Sequence, residues 1–352
     1  MHYVEHPTTL QIEISSNCNL CCTGCCRVDE NSYDIKPNKF IPKNKFLSVE
    51  IFNNLVNDPA LSKLNKIEFC GTIDDPLTHP NFLDFLKILK EKNISSQIHT
   101  NASLRTPEYW KKIADLTKHD GHTCVKFSID GLEDTNHLYR RGANWNKIME
   151  NAKAFIEAGG NAWWQMIVFS WNDHQIATAQ NLAKKMGFNM FKYRHDRSRS
   201  PNAIQAKEMS AKNFGTKKTK TYEQRVRSMQ TMLPLKIECF SQKENYYFIG
   251  HNGQVWPCCF LMNANWSTLT LSEEYNNRFE GNYGKHWNNI NYKSFSEILK
   301  SPFYTEDLVD SWKSKKHGSG CKDRVIRCTE TCSVKRLKDN PLADISHENC
   351  IL

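Results

Sequence analysis

Six short apolar runs, separated by amphipathic segments, precede residue 196, and this alternation constrains the fold more than any other feature. The runs are Leu10–Ser15, Lys66–Cys70, Ser96–Thr100, Cys124–Ile129, Trp163–Phe169 and Met190–Tyr193. Tight hairpins cannot join parallel strands, so strands that alternate with helices imply a parallel sheet. Periodicity leaves open whether such a sheet closes into a partial barrel, but ligands collect at the C-terminal strand ends in both cases. The segments SSNCNLCCTGCC, CGTIDDP, HTNAS, SIDG and FSWND follow strand ends and should therefore crowd onto one face. Helix signals fit between the strands. Ser48 and Asp173 can cap helices, Pro80 and Pro107 suit first-turn positions, and Gly187 can end a helix.

Fourteen cysteines are the second constraint. The opening segment has no basic region followed by an apolar one, and no stretch approaches about 18 apolar residues, so we expect neither export nor a membrane span. A cytoplasmic location follows as an expectation. In that reducing setting, clustered cysteines point to metal or redox chemistry rather than disulfides. Cys70 and Cys124 border apolar runs and read as structural thiols. The net charge is +9. Much of the excess lies between Arg194 and Arg227, in a Ser-, Asn- and Lys-rich stretch that reads as a solvated linker or as a landing site for an acidic substrate or electron donor. Three domains follow: residues 1–196, a basic linker over 197–235, and a cysteine-rich unit over 236–352 with little periodicity, which reads as held by metal more than by a large core.

Cys18, Cys22 and Cys25 have the spacing C-x3-C-x2-C. Three thiolates in one loop can hold three irons of a [4Fe–4S] cube and leave the fourth iron open for a chelating ligand. A zinc knuckle completed by Cys21 or Cys26 is the structural alternative.

With this motif, beginning Cys-Asn-Leu, the chain resembles the radical S-adenosylmethionine (SAM) superfamily from Leu10 to about His195. The resemblance implies a partial (β/α)6 barrel. It also implies an open iron that binds the amino and carboxylate groups of SAM, and reductive cleavage to a 5′-deoxyadenosyl radical that takes hydrogen from a substrate. Gly71 to Pro76 lies where the family has a Gly-Gly-Glu-Pro turn, so Asp75, with Asp74 second, would meet the methionine ammonium. Thr100, Asn101, Ser128 and Asp130 match positions that reach the ribose and carboxylate. Arg140, with Arg141 as alternative, resembles the arginine that pairs with the carboxylate, and Val168 and Phe169 lie where the adenine packs. Gly24 departs from the family, which has an aromatic residue before the third cysteine.

Cys239, Gly253-x4-Cys258 and Cys321-x6-Cys328-x3-Cys332-x17-Cys350 look like the SPASM extension of the same superfamily, in its full or shortened twitch form. Gly318 stands where one usual cysteine would be. The resemblance implies one auxiliary [4Fe–4S] cluster, or two. Cys239, Cys258 and Cys332 are the first candidate ligands. Cys321, Cys328 and Cys350 would complete that site or form a second, with His317 or Asp323 as further donors; a structural zinc site is the alternative. Many such enzymes oxidise or cross-link peptide side chains, so a peptide or protein substrate leads the expectations. An acidic electron donor such as flavodoxin or ferredoxin would supply the electron. A small-molecule dehydrogenase is the second reading. The third is a non-catalytic iron–sulfur or zinc protein that binds nucleic acid through its basic stretch.

Overall fold

The computed structural model describes residues 3–23, 25, 27, 41–70, 72–195, 236–263, 278–316, 320–334 and 349–350. The basic linker, Gly24, Cys26, Gly71, His317 and Gly318 lie outside the described residues. All six expected strands are present. β1 (Thr9–Ile12), β2 (Lys66–Phe69), β3 (Ser95–Thr100), β4 (Cys124–Ser128), β5 (Ala162–Val168) and β6 (Met190–His195) begin and end within three residues of the apolar runs.

Contacts divide the chain into two units, and the division does not follow the boundaries expected from sequence. One unit joins Met1–Ile12 and Leu47–Asn65 to Lys218–Asp344; the other joins Glu13–Phe46 and Lys66–Lys217 to Ile345–Leu352. The reason is strand pairing. β1 runs parallel to β7 (Tyr246–Ile249), with Leu10 opposite Tyr247 and Ile12 opposite Ile249, so the first strand belongs with the last third of the chain. α1 (Val49–Val56) goes with it: Asp58, just beyond α1, accepts hydrogen bonds from Ser296.

In the second unit, β2 to β6 pair in sequence order and all run parallel. A two-residue strand, β8 (Asn349–Cys350), pairs antiparallel with β6. Burial alternates along β3 and β5, as it must when one face packs under helices and the other lines an opening. On the packed face, Phe69 meets Phe82 and Phe85 of α2 (Phe82–Glu91) at ring separations of 5.6 and 6.4 Å. Phe127 stacks on Trp110 of α3 (Pro107–Thr117) at 5.2 Å and touches Phe155 of α5 (Trp145–Glu157) at 5.8 Å. Between β4 and α5 lies the one-turn helix α4 (Asn136–Tyr139).

The capping signals divide. Ser48 accepts from the Glu50 N–H, as expected, and Pro107 opens α3. Asp173 does not cap α6 (Ile176–Met186): it begins a 3₁₀ turn and its carboxylate accepts from the adjacent His174 N–H. Pro80 precedes α2 without entering it. Gly187 ends α6 at φ 89°, a left-handed conformation that glycine adopts without strain.

The first unit holds more core than its sparse periodicity suggests. Tyr3, Tyr247, Trp256, Phe279, Trp287, Phe303 and Tyr304 are all buried and form a continuous net of ring contacts. Aromatic side chains bury large areas from short elements, so no long periodic stretch is required.

Phe127 is fully enclosed by Trp110, Phe155 and Phe188. Phe127→Ala should therefore lower the unfolding free energy by about 3–5 kcal/mol, measured as a lower urea midpoint at unchanged slope.

Candidate functional site

The loop after β1 carries Cys18, Cys22 and Cys25, and strand-end segments hold it in shape. Cys21 N–H donates to the Arg141 carbonyl and Thr23 N–H to the Tyr139 carbonyl, both at 3.1 Å, so the cysteine loop is laced to the end of α4. Arg27 reaches from the far side of the loop and donates to the carbonyls of Ser16 (2.6 Å) and Ile73 (2.5 Å). Asp75 N–H donates to the Asn17 carbonyl at 2.9 Å. Glu13, an acid inside an apolar strand run, is fully buried and accepts from the N–H groups of Thr72 and Ile73 at 2.6 and 3.0 Å.

Asp75 is the knot. Its carboxylate accepts from Leu77 N–H (3.1 Å), Thr100 Oγ1 (2.9 Å) and Asn101 N–H (2.8 Å), with only 3% of the residue exposed. Asn101 in turn extends Nδ2 to Cys18 Sγ at 3.8 Å and to Asn19 Oδ1 at 2.9 Å. Asp75, Thr100 and Asn101, which the sequence assigned to the cofactor, are thus brought together, and much of their bonding capacity goes to each other. Asp74 is different. Its Oδ2 accepts from Ser15 N–H at 3.1 Å, while its buried Oδ1 has no hydrogen-bond partner among the described residues. Burial, and then the charges of Glu13 and Asp75, push the Asp74 carboxyl well up.

A second group lies at the ends of β4 to β6. Arg140 Nε sits 2.7 Å from Asp130 Oδ2, and Asp130 is fully buried, its Oδ1 accepting from Ile167 N–H at 2.6 Å. Arg140 and Asp130 line one pocket with Ser128, Gln165, Lys192 and Arg194. Sequence reasoning found the first three of these and missed Gln165, Lys192 and Arg194. Their alternation on β5 and β6 was the available signal. Val168 and Phe169 are both buried. Phe169 stacks on Trp171 at 4.3 Å and meets Tyr139 at a tilt, 4.8 Å between ring centres, so it is committed to a small aromatic cluster beside the cysteine loop.

The first unit contains a separate cysteine site. Cys239, Cys258, Cys328 and Cys332 are buried and line one cavity together with Tyr3 and Trp312. An antiparallel bridge between Ile237 and Ser333 brings the first and last of these cysteines side by side, with Glu238 N–H donating to the Cys332 carbonyl at 2.9 Å. Tyr3 Oη approaches Cys239 Sγ at 3.4 Å. Hydrogen bonds from Cys332, Ser241 and Tyr3 favour the Cys239 thiolate and draw its pKa down to about 6, while burial pushes the Cys258 and Cys328 thiols up. The structure does not bring Cys321 to this cavity; it is half-buried beside Tyr283. Nor does Asp323 line it, accepting instead from Gly320 N–H at 2.9 Å. Cys350 falls in the other unit, on β8 opposite Lys192.

Comparison with known proteins gives this geometry its class. Residues 12–183 match the family model described as the Radical SAM superfamily, and residues 239–333 match SPASM, described as an iron-sulfur cluster-binding domain. The chain belongs to the radical SAM superfamily and carries a SPASM domain. A tungsten-containing aldehyde ferredoxin oxidoreductase cofactor-modifying protein of Pyrococcus furiosus is 27% identical over 133 residues, 38% of this chain and 33% of that protein. The match thus spans about a third of that relative's length. SuiB of Streptococcus suis, solved with its precursor peptide SuiA, superposes with a TM-score of 0.53 at 14% identity, covering 80% of this chain and 67% of that one. Native anSMEcpe with bound AdoMet gives 0.52 at 14% identity, over 93% of this chain and 89% of that one. At such identity the likeness shows the fold: a mixed α/β partial barrel with a SPASM domain. No helix among the described residues is long and apolar enough to cross a membrane.

A radical SAM domain takes a [4Fe–4S] cluster with one open iron and SAM, and a SPASM domain takes auxiliary [4Fe–4S] clusters. The donor sets fit. Among the described residues no three His, Cys, Asp or Glu side chains converge as a single ion demands; a cube takes one thiolate at each corner and needs no such convergence. Burial pushes Cys18 up to about 12 and Cys22 to about 11, so without metal both are neutral thiols. Iron held there would replace those protons.

That sign can be tested on metal-free protein. With pKa values of about 12 and 11, the thiolate fraction at pH 8 is about 1 in 10,000 for Cys18 and about 1 in 1,000 for Cys22. Iodoacetamide labelling mapped by mass spectrometry should reach exposed Cys21 first, and labelling of Cys18 should accelerate about tenfold per pH unit between 8 and 11.

Proposed function

We propose that this enzyme abstracts hydrogen from a peptide or protein side chain, oxidising or cross-linking it, in a reducing compartment such as the cytoplasm. The observation that carries the reading is the pairing of a three-cysteine loop, laced to strand ends, with a separate chamber of four buried cysteines. Support for a peptide comes from relatives: SuiB has been solved with its precursor peptide, and anSMEcpe with peptides. The cofactor-modifying protein of Pyrococcus furiosus favours a second reading, a small molecule as substrate.

When bound, the cluster and SAM supply a 5′-deoxyadenosyl radical. Cys18, Cys22 and Cys25 are the residues to hold three corners of the cube. Asn101 would donate to the Cys18 sulfur, a contact of the kind that tunes cluster potential. Asp74 is the acid to receive the methionine ammonium, because its Oδ1 is uncommitted among the described residues; Asp75 orients the turn and Thr100 from behind. Arg140, held by Asp130, presents a fixed guanidinium to the methionine carboxylate, and Ser128 faces the same pocket. Tyr139, Phe169 and Trp171 would provide the apolar wall that Gly24 cannot.

In the first unit, Cys239, Cys258, Cys328 and Cys332 together form a four-thiolate set for one auxiliary cluster. A fully ligated cube has no corner for substrate, so its part is to relay an electron between substrate and an acidic donor such as flavodoxin or ferredoxin. Cys321 and Cys350 stand outside this set.

Two measurements check the reading. Anaerobically reconstituted protein given dithionite and SAM should yield 5′-deoxyadenosine; Cys22→Ala should abolish it, and Cys332→Ala should retain uncoupled cleavage. Equal loss in both variants would count against the division of labour. Iron analysis should find about eight irons per chain, two cubes of four. Cys328→Ala should lose close to half of that iron, and Cys321→Ala should lose none.

A further inference from the structure

The segment Tyr3–Val4, which precedes β1, is pinned inside the cysteine-rich unit by three hydrogen bonds. Tyr3 N–H donates to the Tyr304 carbonyl at 2.9 Å, the Tyr3 carbonyl accepts from Gln242 Nε2 at 3.0 Å, and the Val4 carbonyl accepts from Tyr247 Oη at 2.9 Å. The Tyr3 ring rests edge-on against Tyr247 and Trp312, at 5.5 and 6.4 Å between centres, and only 2% of the residue is exposed. The ring alone fills this space, so the hydroxyl is what distinguishes tyrosine from phenylalanine here. Burying it is costly unless it is bonded.

Its bonds lead to the cysteine chamber. Tyr3 Oη lies 3.4 Å from Cys239 Sγ, 2.6 Å from Ser241 Oγ and 3.2 Å from the Pro257 carbonyl. Ser241 is fully buried, and its own Oγ lies 3.2 Å from the same sulfur. Two hydroxyl protons therefore serve one sulfur, one carbonyl and each other's oxygens. As a metal ligand the Cys239 sulfur carries no proton and can only accept. Among these acceptors, only one arrangement keeps both protons off the sulfur: Tyr3 to the Pro257 carbonyl and Ser241 to Tyr3 Oη. A charged acceptor binds a proton donor more strongly than a neutral carbonyl does, which makes that arrangement the least favourable.

We propose that Tyr3 is a positioning residue of the auxiliary cluster: with Ser241 it donates to the Cys239 thiolate and raises the reduction potential of the centre. The inference rests on the reading of Cys239, Cys258, Cys328 and Cys332 as a four-thiolate set, and it deepens that reading. Reduction adds negative charge to the cube and its thiolates, and donors to sulfur stabilise the added charge. A raised potential biases the centre toward accepting electrons.

The test is a redox titration followed by electron paramagnetic resonance. It uses the full chain carrying Cys22→Ala and reconstituted with iron and sulfide, so that about four irons per chain report the auxiliary cube alone. Adding Tyr3→Phe, which keeps the ring and removes the hydroxyl, should move the midpoint to more negative potential. At the potential where the parent is half reduced, the ratio of reduced to oxidised cluster should fall about tenfold, a shift of about 59 mV for one electron. Tyr304→Phe deletes a buried hydroxyl from the same aromatic net, one that donates to the Val255 carbonyl at 2.7 Å, and should leave the midpoint in place. Should Tyr3→Phe not load iron, Ser241→Ala removes the second hydroxyl and carries the same expectation. An unmoved midpoint, a shift to more positive potential, or an equal shift in Tyr304→Phe would overturn the inference. So would loss of iron from both Tyr3→Phe and Ser241→Ala while Tyr304→Phe stays loaded, since the pair would then be structural. The two ideas fail differently. A Cys22→Ala chain with no iron–sulfur signal takes down the four-thiolate set, whereas a normal signal that Tyr3→Phe leaves unmoved takes down the role of Tyr3 alone.

Discussion

A single buried carboxylate, that of Asp75, ties the cysteine loop to the barrel. Its oxygens gather donors from the turn after β2 and from the end of β3, its own N–H holds the carbonyl of Asn17, and through Asn101 the connection runs on to the sulfur of Cys18. Burying a charge without partners is costly, and here the partners come from Asp75's own turn and from the end of β3. The loop that must present three thiolates therefore inherits its shape from the strand ends. This explains why so short and polar a segment can be placed accurately without a core of its own.

Much of this architecture was legible in the chain. Short apolar runs between amphipathic segments located β1 to β6, and the C-x3-C-x2-C spacing located the loop, because both signals are local. What escaped was set by contacts distant in sequence. Nothing in Thr9–Ile12 says that its partner is Tyr246–Ile249, about two thirds of the chain away, and so nothing local could show that β1 joins the last third. Asp75 could be singled out, but its role could not: the residues that occupy its oxygens lie about 25 positions further on, at Thr100 and Asn101. Gln165, Lys192 and Arg194 were passed over because polar residues inside strands look like surface until the register shows which face they share.

The cysteine-rich unit shows the same limit from the other side. Its spacing matched a SPASM pattern, yet only folding shows which thiols meet. The Ile237–Ser333 bridge brings Cys239 to Cys332, and the helix Ile326–Cys332 brings Cys328 with it. Cys321, a few residues before that helix, stays outside. Around the chamber the aromatic net from Tyr3 to Trp312 supplies packing where the sequence led us to expect metal more than core.

The shortest strand has a consequence of its own. Asn349–Cys350 lies antiparallel along β6 at Lys192 and Tyr193, satisfying backbone groups that would otherwise be open to any extended polypeptide. An extended polypeptide cannot add itself to the sheet at that point without first displacing those two residues. Main-chain pairing is closed there, and what remains for contact is the side chains that project from the strands.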